Sequence, residues 1–154
     1  MEKNITAMEI MELCRGRNEE IASLEDRIGS LREGMTRITS GMGQTAREAM
    51  GDKYAAYMAR LDELERRLRR IRKLHGAEQV AVILLTDRMP ATRRDCLRLY
   101  YGRGRSPQQI AIFINYSQRH IERILEESRE HLSEIGAERV INVLPNWYRK
   151  EMEV

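Results

Sequence analysis

Two helix starts lie very close together in the C-terminal half of the chain, and this constrains the fold more than any other sequence feature. Ser106 followed by Pro107 is typical of a helix N-terminus. The serine hydroxyl can accept hydrogen bonds from first-turn amides, and proline at the first helical position needs no donor. Ser117 predicts a second start, with a helix from Gln118 to about Ile135. The stretch therefore predicts two helices joined by a tight turn.

The spacing within this stretch is that of a helix-turn-helix. Asn115 can take the left-handed backbone of the turn, and Ala111 is small enough to let the two helices cross closely. Five side chains fall where such a unit buries them: Ile110, Ile114, Tyr116, Ile121 and Ile124. Ordinary αα-hairpins also join amphipathic helices by a tight turn, so periodicity alone leaves DNA binding and simple packing both open.

The polar residues around the two helices are those that contact bases and phosphates in helix-turn-helix proteins. The candidate DNA-binding residues are Arg103, Arg105, Ser106, Gln108, Ser117, Gln118, Arg119, His120, Glu122 and Arg123. Residues 93–129 carry eight arginines against four acidic residues, although the net charge of the whole chain is only +3. This local basic excess favours nucleic acid as the ligand of this segment.

The segment RRDCLRLYYGRGRSPQQIAIFINYSQRHIERILEESREHL resembles the promoter-reading fourth region of bacterial sigma factors. In that region a helix ending in an aromatic residue and a Gly-containing turn precede the helix-turn-helix, and Tyr100-Tyr101-Gly102 occupies this junction. The resemblance covers about residues 78–135. A long helical N-terminal part before such a module is similar to the ArpU-type sigma-like regulators of phages. The resemblance implies double-stranded DNA as the ligand and bacterial RNA polymerase as a further partner.

Two features depart from the helix-turn-helix pattern. Asn115 stands at the turn, where such proteins often have Gly, and Ile112 and Phe113 are apolar at positions usually left to solvent or backbone contacts. The apolar pair predicts that another surface covers this helix.

The N-terminal half shows two periodic apolar runs. The first follows a seven-residue repeat with two core positions. One position is occupied by Ala7, Cys14, Ile21, Ile28 and Met35, and the other by Ile10, Arg17, Leu24, Leu31 and Ile38. Arg17 is the only charged residue at these positions. The second comprises Met50, Tyr54, Tyr57, Leu61, Leu64, Leu68 and Ile71. Small residues at 39–43 predict a reversal between the two runs. The helices could then pair within one chain or with a second copy to form a homodimer.

Three domains are predicted: a helical hairpin or coiled coil over 1–75, a DNA-binding domain over 77–135, and a tail over 136–154. A bend or break at His75-Gly76 is expected to separate the first two, because glycine is unfavourable inside a helix. The tail carries a short apolar patch and Trp147-Tyr148, which fold back on the core or contact a partner.

Composition favours an all-α fold, with 33% charged residues, 42% apolar residues and a single Phe and Trp. The sequence contains no cluster of metal ligands, no phosphate-binding glycine loop and no nucleophile motif, so we expect no cofactor, no metal and no catalysis. Cys14 and Cys96 form no paired motif and are expected to be buried. Without a signal peptide or a membrane-length apolar run, the predicted location is the cytoplasm.

The leading prediction is a phage-type transcriptional regulator that recognises a promoter or operator. A small-terminase-like subunit that recognises DNA for packaging is the alternative, because such subunits also join a helix-turn-helix to a coiled coil. A protein-interaction module without DNA activity is the third possibility, in which Ile112 and Phe113 form part of the surface that contacts the partner.

Overall fold

The computed structural model describes residues 4–40 and 51–154, and these residues contain helices and no strand. The expected all-α class is confirmed. The α-helices, in chain order, are α1 Ala7–Ser40, α2 Gly51–Thr86, α3 Ala91–Leu97, α4 Pro107–Ile114, α5 Gln118–Ser133, α6 Ala137–Asn142 and α7 Asn146–Met152. A single π-helical turn, Arg98–Gly102, follows α3. Among the described residues, no helix combines the length and apolar character needed to cross a membrane.

The chain divides into two compact units. We call Met1–Glu19 together with Lys73–Val154 the core unit, and Glu20–Arg72 the arm unit. The start of α1 therefore belongs with the helix-turn-helix, although the sequence suggested one hairpin domain over 1–75. The physical reason is burial, because Ile10, Met11 and Cys14 are each 0% exposed inside the core unit.

The interior of the core unit draws on every helix of that unit. Its fully or almost fully buried apolar side chains include Ile10, Met11, Cys14, Ala81, Val82, Leu85, Cys96, Leu97, Ile110, Ile121, Leu132, Val140 and Tyr148. The tail thus folds back on the core, which was one of the two possibilities left open by the sequence. Its two short helices contribute Val140 and Tyr148 to the interior, and the link between them contributes Leu144.

Helix α2 runs without interruption through Gly76, so the expected break at His75-Gly76 is wrong. Gly76 is exposed, and nothing lies within 4 Å of the position that its Cβ would take. Leu74 and Ala77, on either side, are buried in the core unit. Glycine in a helix interior costs about 1 kcal/mol relative to alanine, and the burial of these neighbours exceeds that cost.

The arm unit is an antiparallel pair of helices within one chain. Leu24 and Ile28 of α1 pack against Leu64, Leu68 and Ile71 of α2 in a small core. Ion pairs cross the same interface, among them Arg72 with Glu25 and Arg32 with Glu65, each with N···O of 2.5 Å, and Arg67 with Glu20 at 3.8 Å. These groups are largely exposed, so the apolar stripe contributes most of the stability.

The connection between the two long helices is only partly described. Thr39 and Ser40, at the start of the predicted reversal, still belong to α1. The rest of the predicted reversal, residues 41–43, and Met50 of the second periodic run lie outside the described residues.

Candidate nucleic-acid interface

Both helix starts of the predicted helix-turn-helix are observed. The Ser106 hydroxyl accepts from the Gln109 amide at 3.2 Å, and the Gln109 side chain accepts from the Ser106 amide at 3.0 Å, which makes a capping box. The Ser117 hydroxyl accepts from the His120 amide at 3.1 Å. Asn115 ends the first helix in the left-handed region, with φ 61° and ψ 46°. Local chemistry therefore sets this geometry, as the sequence predicted.

The interior of the helix-turn-helix follows the predicted register with one exception. Ile110, Ala111 and Ile121 are buried, and Ile114 and Ile124 pack against the core as partly buried residues. Tyr116, expected to be buried, is 45% exposed. Its ring lies at the surface, and its centroid is 4.9 Å from that of His120.

The outward face of α5 carries four polar residues, all exposed: Gln118, Arg119, Glu122 and Arg123. The Gln118 amide donates to Glu122 at 3.1 Å along the helix, so these two side chains engage each other. Arg119 and Arg123 lie one helical turn apart on the same face. Neither forms an ion pair with the residues that the structure describes. Two exposed guanidinium groups are therefore available to an anionic ligand.

The other predicted contact residues of the two helices have more varied surroundings. The hydroxyls of Ser106 and Ser117 act as helix caps. His120 is half-buried beside Tyr116, and Gln108 is exposed in the first turn of α4.

Arg103 and Arg105 lie on an exposed loop immediately before α4. The loop is ordered by backbone hydrogen bonds from the Arg103 amide to the Arg98 carbonyl at 3.1 Å and from the Arg105 amide to the Leu99 carbonyl at 3.0 Å. The two arginines and four neighbouring side chains line an open groove of about 540 Å³: Leu99, Arg103, Arg105, Gln109, Ile110 and Phe113. The groove thus combines an apolar floor with two cationic groups.

The basic excess counted over residues 93–129 is not all available to a ligand. Arg98 donates to the Thr86 hydroxyl at 3.0 Å and to the Ile83 carbonyl at 2.9 Å, which satisfies acceptors in the last turn of α2. Arg94 lies 3.9 Å from Asp95. The cations that remain on the outer surface are concentrated at the loop before α4 and at the start of α5.

The apolar pair on α4 is more exposed than any other large hydrophobic residue of the described chain. Ile112 is 79% exposed and Phe113 is 77% exposed. The expected covering surface is not supplied by the described residues of this chain. Phe113 also lines the groove beside Arg103 and Arg105.

Within residues 4–40 and 51–154, no group of three or more His, Cys, Asp or Glu side chains is placed to hold a metal ion. Both cysteines are buried and unpaired. Burial raises the pKa of the Cys14 thiol to about 12, with a smaller contribution from the Glu78 carboxylate. Such a thiol is a poor nucleophile at neutral pH.

Sequence reasoning missed a buried polar network in the core unit. The Glu78 carboxylate, 0% exposed, accepts from Arg17 at 3.1 Å and from the Tyr148 hydroxyl at 2.6 Å. The signal was present in the first heptad run, where Arg17 occupies a core position. A charged residue at such a position indicates a buried partner, but the partner lies 61 residues away in sequence.

Comparison with known proteins identifies no relative. No family model, no curated protein and no solved structure matches this chain.

Proposed function

We propose that this protein is a sequence-specific, double-stranded DNA-binding transcriptional regulator that reads a promoter or operator through α4 and α5. The observation that carries the proposal is the pair of exposed arginines, Arg119 and Arg123, on the first turns of the second helix of a capped helix-turn-helix. Arginine at these positions suits bidentate contact with guanine edges in the major groove. The proposed role is recognition without catalysis.

The loop before α4 extends the proposed interface. Arg103 and Arg105 are exposed and close in sequence to the capped N-terminus of α4. Phosphate contacts from such groups fix the position of a protein on the duplex, whereas base contacts determine sequence preference. We therefore assign the phosphate contacts to Arg103 and Arg105, and the base contacts to Arg119 and Arg123.

The proposed assembly is a homodimer that places two readers on adjacent half-sites, with bacterial RNA polymerase as a further partner. The arm unit buries its apolar stripe within one chain, so the seam of Leu24, Ile28 and Leu68 need not supply the dimer contact. Tyr54 and Met58, each 44% exposed on α2, are the candidate contacts that remain there.

The test is selection of binding sites from a pool of random duplexes with the full chain. Enrichment of a common sequence, with affinity that falls as salt is raised, is the expected result. The absence of both enrichment and salt-dependent binding would overturn the proposal. Arg27→Ala, an exposed arginine on α1 in the arm unit, is the matched control and should bind like the parent.

A protein-interaction module is the second candidate, favoured by the exposure of Ile112 and Phe113. An exposed apolar pair beside a groove is typical of a protein-binding surface. The variant Ile112→Ser with Phe113→Ser separates the two functions. If DNA binding is the function, this variant should retain the affinity and sequence preference of the parent, whereas Arg119→Ala should weaken binding and relax the preference at one position.

A further inference from the structure

The loop that carries Arg103 and Arg105 is held in place by side chains of α1. The guanidinium of Arg15 donates to the Tyr100 carbonyl at 2.5 Å and to the Arg105 carbonyl at 3.0 Å through the same nitrogen. Its central carbon lies 3.7 Å from the centroid of the Tyr100 ring. One half-buried side chain thus joins the π-helical turn before the loop to the last residue of the loop.

A second residue of α1 lies directly against the same loop. Gly104 has φ +68°, and a Cβ added there would lie 2.8 Å from the Cβ of Asn18. The Asn18 amide approaches the Gly102 carbonyl at 3.5 Å, and Gln79 of α2 donates to the same carbonyl at 3.0 Å. The loop backbone is therefore fixed at its start, its middle and its end, while its two arginine side chains stay exposed.

This arrangement matters for binding because a loop that is ordered in advance loses less conformational entropy when it meets a ligand. Arg15 is engaged by two carbonyls and an aromatic ring, so its position suits support of the loop better than contact with a ligand. Lysine could keep the charge, but its ammonium group lacks the planar guanidinium that stacks on Tyr100.

We propose that Arg15 is a positioning residue for DNA binding, which holds the loop so that Arg103 and Arg105 meet the phosphates of the duplex. The inference rests on the proposed function. It assigns a part in recognition to the N-terminal helix, far in sequence from the helix-turn-helix.

The test is a double-mutant cycle on the full chain, with a labelled random-sequence duplex as the probe. Arg103→Gln with Arg105→Gln should lower the slope of log affinity against log salt by about 1 to 2, because two phosphate contacts are lost. Arg15→Lys should weaken binding by roughly tenfold and lower the same slope, because both loop contacts are loosened. In the loop-variant background, Arg15→Lys should have almost no further effect.

Two controls keep the cycle specific. Arg27→Lys, the same substitution elsewhere on α1, should bind like the parent. In an Arg123→Gln background, the effect of Arg15→Lys should remain at full size, because that residue lies on α5 and not on the loop. An effect of Arg15→Lys that is equally large in the loop-variant background would overturn the proposal, since Arg15 would then act through overall stability or its own contact.

Hydrogen exchange tests the structural step without DNA. The Arg105 amide, which donates to the Leu99 carbonyl, should exchange faster in Arg15→Lys, while amides in the middle of α5 keep their rates. Unchanged exchange at Arg105 would overturn the proposal even if affinity fell. If the parent chain shows no salt-dependent binding to duplex DNA, it is the proposed function that fails, and the exchange rates still show whether Arg15 holds the loop.

Discussion

Arg119 and Arg123 are the residues on which sequence preference should depend. Arg119→Ala or Arg123→Ala is expected to cost about 1 to 3 kcal/mol on the selected duplex and to relax the preference at one position, because a bidentate base contact is lost. Fluorescence anisotropy on selected and random duplexes measures both effects. Equal loss on the two duplexes would indicate phosphate contact alone, and no loss on either would remove this face of α5 from the interface.

The buried network around Glu78 should be important for stability. Arg17 is 13% exposed by its side chain, and Glu78 is 0% exposed. Arg17→Met is expected to destabilise the core unit by about 3 to 5 kcal/mol, because it removes the cation beside a buried carboxylate. Urea unfolding measures the loss. We expect Glu78→Gln to restore stability when it is added to Arg17→Met. If stability is not restored, the charge of Glu78 is not the cause of the loss.

His75 should make stability depend on pH. Burial lowers its pKa from 6.5, although a hydrogen bond with the Gly102 backbone opposes the shift. The unfolded chain therefore takes up a proton at a higher pH than the folded chain does. Stability should be complete above pH 6.5 and should decrease as the pH falls from there through the lowered pKa. Urea midpoints across this range measure the effect, and His75→Gln should flatten the curve.

At the scale of single elements, the sequence predicted the starts of α4 and α5 and the turn between them well, because these boundaries depend on local chemistry. Ser106, Asn115 and Ser117 act within a few residues of their own positions. Tyr116 was placed wrongly because its burial depends on the direction in which the turn projects. The continuity of α2 through Gly76 was missed for a similar reason, since buried neighbours supplied by tertiary packing override a local preference.

The crossing of α4 and α5 offers a direct test of the assigned register. Ala111 is 8% exposed and belongs to the buried interior of the core unit, where the assigned register places the helix crossing. Ala111→Leu should destabilise the protein by about 1 to 3 kcal/mol through overpacking and should weaken DNA binding with it. Thermal melting and anisotropy measure the two effects. As a control, Gln108→Leu on the exposed face of the same helix should leave the melting temperature unchanged.

At the scale of the whole molecule, the core unit is assembled from two separate parts of the chain. The sequence suggested a separate domain over 77–135, but a fragment that begins near residue 77 lacks Ile10, Met11 and Cys14 of the interior. The association of residues 1–19 with residues 73–154 could not be inferred from periodicity, because the heptad pattern continues unchanged from the core unit into the arm unit.

Deletion of residues 1–19 and replacement of residues 20–72 should therefore have opposite effects on the folding of the core unit. A chain that lacks residues 1–19 is expected to lose cooperative unfolding, because apolar surface at the centre of the core unit is left exposed. A chain in which residues 20–72 are replaced by a short Gly-Ser linker should fold, since the core unit keeps all its buried residues. Circular dichroism melting distinguishes these outcomes. Light scattering on the linker chain then tests the homodimer, and a monomer where the parent is a dimer would assign the dimer contact to the arm.

The bond between Tyr148 and Glu78 has a consequence for the order in which the chain acquires structure. The arm unit joins two helices that follow one another along the chain, so it can form once Ile71 has left the ribosome. The core unit joins Ile10 to residues as late as Tyr148, and such distant pairings form slowly. During translation the helix-turn-helix is therefore synthesised before the last residues of its supporting interior. The proposed DNA binding should therefore require the full chain, because α7 closes the core unit last.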